Sequence, residues 1–173
     1  MGYSAKAVAN AFLDIAKANE KKLSPLKLQK LVYIAHGWNL AINEEPLVDD
    51  EFAEAWQYGP VFPSIYHEFK EYGKAPVWGK AAEYEMGADF EFEVFHPEIP
   101  IDDEETWNLL NRVWDIYGKY SGLALSDVTH RPDTPWSKTW AASGGRKNAD
   151  ISNDIIKAHY EELAKTRQSK AAS

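Results

Sequence analysis

Apolar residues recur at helical spacing along most of this chain. Val8, Ala11, Phe12 and Ile15 stand at i, i+3, i+4 and i+7, the stripe of an amphipathic helix. Ser4 is placed to cap it, so the first helix is predicted over residues 5–19. Ser24-Pro25 opens a second helix with a capping hydroxyl and a proline at the first helical position. Its residues Leu28, Leu31, Val32, Ile34, Ala35 and Trp38 cover more than half the circumference, which makes it the central helix. Lys27 and Lys30 are assigned to the outer face that remains. Gly37 interrupts the run at a cost of about 1 kcal/mol against alanine, so a close neighbour is expected there.

The spacing changes after the turn at Asn43-Glu44-Glu45-Pro46. Phe52, Glu54 and Trp56 alternate with Ala53 and Ala55, a short strand. It runs into Trp56-Gln57-Tyr58-Gly59-Pro60-Val61-Phe62-Pro63-Ser64-Ile65-Tyr66. Gly59 permits positive φ and Pro60 fixes its own, while Pro63 suits a helix start. A sharp corner is predicted, with Trp56, Tyr58, Val61 and Tyr66 gathered on it. A third helix then covers residues 63–72, with Ile65, Tyr66 and Phe69 inward, and Gly73 closes it.

Residues 74–101 are the least regular. Phe90, Phe92 and Val94 alternate with Glu91 and Glu93, a half-buried strand expected to pair with residues 52–57. Asp102 or Asp103 caps a fourth helix carrying Trp107, Leu110, Val113, Trp114 and Tyr117. A short helix over residues 123–129 follows. Pro135 then opens another, with Trp136 and Trp140 one turn apart. Ser152 caps a last helix reaching residue 166. The fold class is therefore mainly α: about six helices with a small antiparallel β element. We read residues 1–173 as one compact domain, its core over 3–166, with a variable acidic insertion at 77–101 and a frayed tail at 167–173.

Charge and composition narrow the function. The net charge is −8, but residues 43–105 hold 18 acidic against 3 basic residues, a local −15, with +4 before and +3 after. Phosphate contact needs clustered basic residues, so nucleic acid is disfavoured as a partner and a basic protein is favoured. There is no cysteine, which excludes disulfide and thiolate chemistry. Neither a signal peptide nor a membrane-length apolar run is visible, and a cytoplasmic protein is expected.

Catalytic patterns are sparse. The five histidines lack metal-ligand spacing, and His67-Glu68 is not followed by a second histidine four residues on. Ser121-Gly122 lacks a nucleophile-elbow context, and Gly144-Gly145-Arg146-Lys147 lacks a phosphate-loop frame. His130 with Asp133 and Thr129 is the one acid–base set that can be drawn. The alternatives for this turn are a structural role and partner recognition. No cofactor or metal is expected.

These segments resemble a known family. The motifs are Val8-Ala9-Asn10-Ala11-Phe12-Leu13, Leu26-Lys27-Leu28-Gln29-Lys30-Leu31-Val32-Tyr33, the corner, Leu125-Ser126-Asp127-Val128-Thr129-His130 and Pro135-Trp136. Together they are similar to the Panacea antitoxin domain of SocA-like and GepA-like phage-associated proteins. The acidic residues 77–101 stand apart from this pattern and are a place where partner choice can vary. The resemblance implies a non-enzymatic antitoxin that neutralises a toxin encoded nearby by direct binding. SocA-like members imply an adaptor that presents the toxin to the ClpXP protease. Candidate partner-binding residues are Trp56, Tyr58, Pro60, Val61, Tyr66, Thr129, His130, Trp136 and Trp140. Two other readings stay open: a small hydrolase or transferase using His130 and Asp133, and a phage-associated interaction protein without a toxin.

Overall fold

The structure, a computed structural model, describes the backbone of residues 2–172 and the side chains of 2–170. It is mainly α, with seven α-helices and two small antiparallel sheets among the described residues, against the expected total of about six helices. The helices are α1 (Ala5–Ala18), α2 (Pro25–Asn43), α3 (Pro63–Phe69), α4 (Glu104–Tyr117), α5 (Gly122–His130), α6 (Pro135–Ala142) and α7 (Asn153–Ala172). A 3₁₀ turn, Lys70–Tyr72, extends α3. The strands are β1 (Glu54–Trp56), β2 (Gly59–Val61), β3 (Glu83–Met86), β4 (Phe92–Phe95) and β5 (Ala149–Asp150). Sheet order is β2-β1-β5, and β3-β4 form a separate hairpin.

The helix starts are local and form as their caps dictate. The hydroxyls of Ser4, Ser24, Ser121 and Thr134 and the Asp103 carboxylate each accept a backbone N–H from the first turn of the helix they precede. Helix α2 is the axis of the molecule: it packs on α1, α3, α4, α5, α7 and β2. All thirteen residues from 28 to 40 are buried, so this helix has no solvent face along its middle. The glycine in it does what the pattern predicts. A Cβ at Gly37 would lie 2.2 Å from Cε2 of Tyr160, so only glycine lets the α7 ring sit against the α2 backbone.

Four expectations need correction. Lys30 does not face outward: it is 1% exposed, because α2 is enclosed on all sides. Tyr66 does not face inward. Ile65 and Phe69 fill the core side of α3, while Tyr66 is 43% exposed. The strand at 92–95 pairs with β3, not with residues 52–57, whose strand β1 pairs instead with β2 and β5. The last helix continues past residue 166 to Ala172. Arg167 explains the continuation: its guanidinium lies 5.0 Å over Trp38 and donates to the Tyr117 hydroxyl at 2.8 Å. Ser173 lies outside the described residues.

Candidate functional site

The Gly-Pro corner is the tight turn between β1 and β2, in which Trp56 pairs with Gly59 across Gln57 and Tyr58. Gly59 has φ of +118°, a conformation that side-chain-bearing residues rarely adopt. Alternate carbonyls along this segment are each taken by a side chain from another element. The Trp136 indole of α6 donates to the Trp56 carbonyl at 2.6 Å. The Ser126 hydroxyl of α5 donates to Tyr58 at 2.9 Å. From α2, Lys30 Nζ donates to Pro60 at 2.7 Å, and Gln29 Nε2 donates to Phe62 at 3.0 Å. Gln29 also accepts from the Phe62 N–H at 3.0 Å, so its amide stands in for a neighbouring strand. Glu51 then accepts from the backbone N–H and hydroxyl of Ser64, which suits a carboxylate at the start of α3.

Rings cluster around this frame. Trp56 meets Tyr66 edge-to-face at 4.7 Å, and Lys147 lies 5.1 Å over the Trp56 ring. Trp136 stacks on Trp140 at 5.3 Å with 16° between planes, and His130 meets Trp136 at 5.5 Å. The two segments that the sequence offered as separate candidates therefore form one continuous cluster. Within it the candidates divide by exposure. Pro60 and Thr129 are buried; Trp56, Val61, His130, Trp136 and Trp140 are half-buried; Tyr66 is exposed. Tyr58, at the apex of the turn, is 73% exposed. A rigid backbone thus carries a freely offered phenol.

Two side chains of the turn bond the backbone of their own helix. His130 Nδ1 contacts the carbonyl of Ser126, an acceptor only, so Nδ1 carries the proton. Thr129 donates to carbonyls of its own helix. Among the described residues no hydrogen bond joins His130 to Asp133, and no group of three or more His, Asp or Glu side chains is arranged to hold a metal.

Lys30 is the functional-looking residue that the sequence reading misplaced. Burial pushes its ammonium down from the usual 10.5 to about 7, and among the described residues no carboxylate pairs with it. It braces the corner from beneath: a Cβ on Gly59 would come within 2.9 Å of its Nζ. The signal was available, since a helix apolar over more than half its girth leaves little solvent face for Gln29 and Lys30. His36 is a second buried pin. Its Nδ1 accepts from Val48 N–H at 3.2 Å, so Nε2–H donates to Asn153 at 2.9 Å, and burial lowers its pKa to about 4.

Comparison with known proteins agrees with the motif pattern. The family model described as "Antitoxin SocA-like, Panacea domain" matches residues 28–137, which include α2 from Leu28 onward, the corner and the 129–137 turn. The chain is 36% identical over 132 residues to Antitoxin SocA of Caulobacter vibrioides (strain NA1000 / CB15N), an alignment covering 76% of this chain and 68% of that one. No solved structure matches. Among the described residues no helix is long and apolar enough to cross a membrane.

Proposed function

Because this chain belongs to the SocA-like Panacea antitoxin family, we propose that it neutralises a co-encoded toxin by binding it directly, with the Tyr58 corner as a contact surface and no chemistry of its own. One observation carries the choice of surface. Four alternate carbonyls of residues 56–62 are fixed by side chains of α2, α5 and α6, yet the ring at the apex is 73% exposed. Such a frame has little entropy left to lose on binding, and tyrosine is enriched among residues that dominate interfaces. The rings of Tyr66, Trp56 and Trp136 extend the surface around it. Among the described residues no hydrogen bond joins His130 to Asp133, which favours the binding reading over a hydrolase built on that pair.

The test is co-expression of the neighbouring reading frame with wild-type and Tyr58→Ala chains. Growth arrest by the neighbour alone, rescue by wild type and weaker rescue by the variant are expected. Tyr58 is solvent-exposed, so the variant keeps its stability within about 0.5 kcal/mol. A harmless neighbour, or one still toxic beside the wild-type chain, removes the antitoxin reading. Delivery of the toxin to the ClpXP protease, which the resemblance to SocA-like members implies, is a second reading. A toxin half-life that lengthens when the protease is deleted supports it, and an unchanged half-life leaves occlusion alone.

A further inference from the structure

Among the described residues the β3–β4 hairpin is tied to the rest of the molecule by polar contacts at its base. Asn10 of α1, 1% exposed, donates to the carbonyls of Ala81 and Pro97 at 3.0 Å and accepts from Ala81 N–H at 2.7 Å. Lys6 donates to the Ala82 carbonyl and pairs with Glu83 at 3.1 Å. Both legs of the hairpin are thus clamped to α1, and the arm beyond them is open to solvent.

The register decides what the arm shows. Tyr84 stands opposite Val94, and Met86 opposite Phe92. Cross-strand partners share a face, so these four side chains make one apolar face. They are 67%, 58%, 58% and 68% exposed in the order Tyr84, Val94, Met86, Phe92. On the opposite face Glu85 stands directly across from Glu93, a like-charge pair that disfavours the hairpin. No lysine or arginine occurs between Lys80 and Arg112, while that stretch holds ten acidic residues. A free two-stranded hairpin is marginal in water. Here one face lacks an apolar cover, and on the other, among the described residues, only Glu83 pairs with a cation, Lys6. An occupant lying on the apolar face and reaching over the strand edge with long basic side chains supplies both.

We propose that this hairpin is a docking arm for a basic segment of the partner polypeptide, whose apolar side chains cover Tyr84, Met86, Phe92 and Val94 while its lysines or arginines neutralise Glu85 and Glu93. The inference rests on the antitoxin reading and deepens it by naming the chemistry of the toxin surface. A second copy of this chain is disfavoured as occupant, since it would bring its own acidic residues against these. An anionic membrane is disfavoured on the same ground.

The experiment measures binding of the purified co-encoded protein to full-length wild type, to Met86→Ser/Phe92→Ser, to Glu85→Lys/Glu93→Lys and to Tyr58→Ala, each across a salt series. All the substituted side chains are exposed, so circular dichroism and thermal midpoints should match wild type. Expected are at least tenfold losses of affinity in both hairpin variants, with a shallower salt dependence in the lysine variant. Wild-type-like affinity in both hairpin variants overturns the docking arm and leaves the antitoxin reading intact, most clearly where Tyr58→Ala alone weakens binding. No binding by wild type sinks both. A wild-type dimer in sedimentation that Met86→Ser/Phe92→Ser dissolves assigns the face to a second copy and also overturns the proposal.

Discussion

Gly37→Ala should destabilise the protein even though alanine is the better helix former. Replacing an interior glycine contributes about 1 kcal/mol to a helix. Against that, the new methyl would sit 2.2, 2.4 and 2.7 Å from Cε2, Cδ2 and Cζ of Tyr160, where carbon atoms settle at about 3.5–4.0 Å. The ring has to retreat by roughly 1 Å or more to restore that spacing. It has little room, being 4% exposed and packed edge-on against Trp38 at 5.1 Å and Tyr33 at 6.5 Å. Overpacking of this kind costs about 3 kcal/mol at the upper end of its usual range. The net loss is then about 2 kcal/mol, a midpoint lowered by roughly 4–8 °C for a chain of this size. Urea and thermal unfolding of Gly37→Ala, Tyr160→Ala and the double variant measure it. In the Tyr160→Ala background the same substitution should reverse sign and stabilise by about 1 kcal/mol. A neutral or stabilising Gly37→Ala in the wild-type background, or an equal loss in both backgrounds, refutes the packing argument.

Three further outcomes are expected. Lys30 titrates near pH 7 in the fold against 10.5 when unfolded; between those values only the unfolded chain holds the proton. Stability therefore rises with pH across that window, and the rise should be missing from Lys30→Met in denaturation curves recorded from pH 6 to 10.5, whereas parallel curves would contradict it. His36 is held neutral, with a folded pKa of about 4 against 6.5; stability should fall as pH drops between those values, and His36→Gln should flatten that limb. Asn10→Ala leaves the Ala81 N–H and the Pro97 carbonyl without their Asn10 partner, while the Ala81 carbonyl keeps the His96 ring N–H. This should cost roughly 2–3 kcal/mol and speed amide exchange across residues 83–95; unchanged exchange there would separate the clamp from the arm.

What the sequence showed and what it hid follows from the range of the interactions. Caps at Ser4, Ser24 and Asp103 and the prolines at helix starts act within one turn, and they are legible residue by residue. The close approach at Gly37 was legible too, because a glycine in an apolar helix run needs a neighbour to justify it. Pairing was not. Glu83-Tyr84-Glu85-Met86 carries the same alternation as β4, and Gly87 follows it, but alternation alone does not decide between this near neighbour and the more distant β1. The enclosure of Lys30 could be read from the apolar girth of α2, but its bond to the backbone of Pro60, thirty residues on, has no side-chain pattern to announce it. At the candidate site the aromatic residues could be read from the sequence. Their union into one cluster depends on the Trp136 bond to the Trp56 carbonyl, a contact across eighty residues.

The most direct test of a surface that binds rather than reacts is titration calorimetry of the purified co-encoded protein with this chain, coupled to intact-mass spectrometry of the mixture. The account predicts saturation at a fixed stoichiometric ratio with both masses unchanged. A covalent change in the partner's mass, produced by a small fraction of an equivalent of this chain, would show turnover and contradict it.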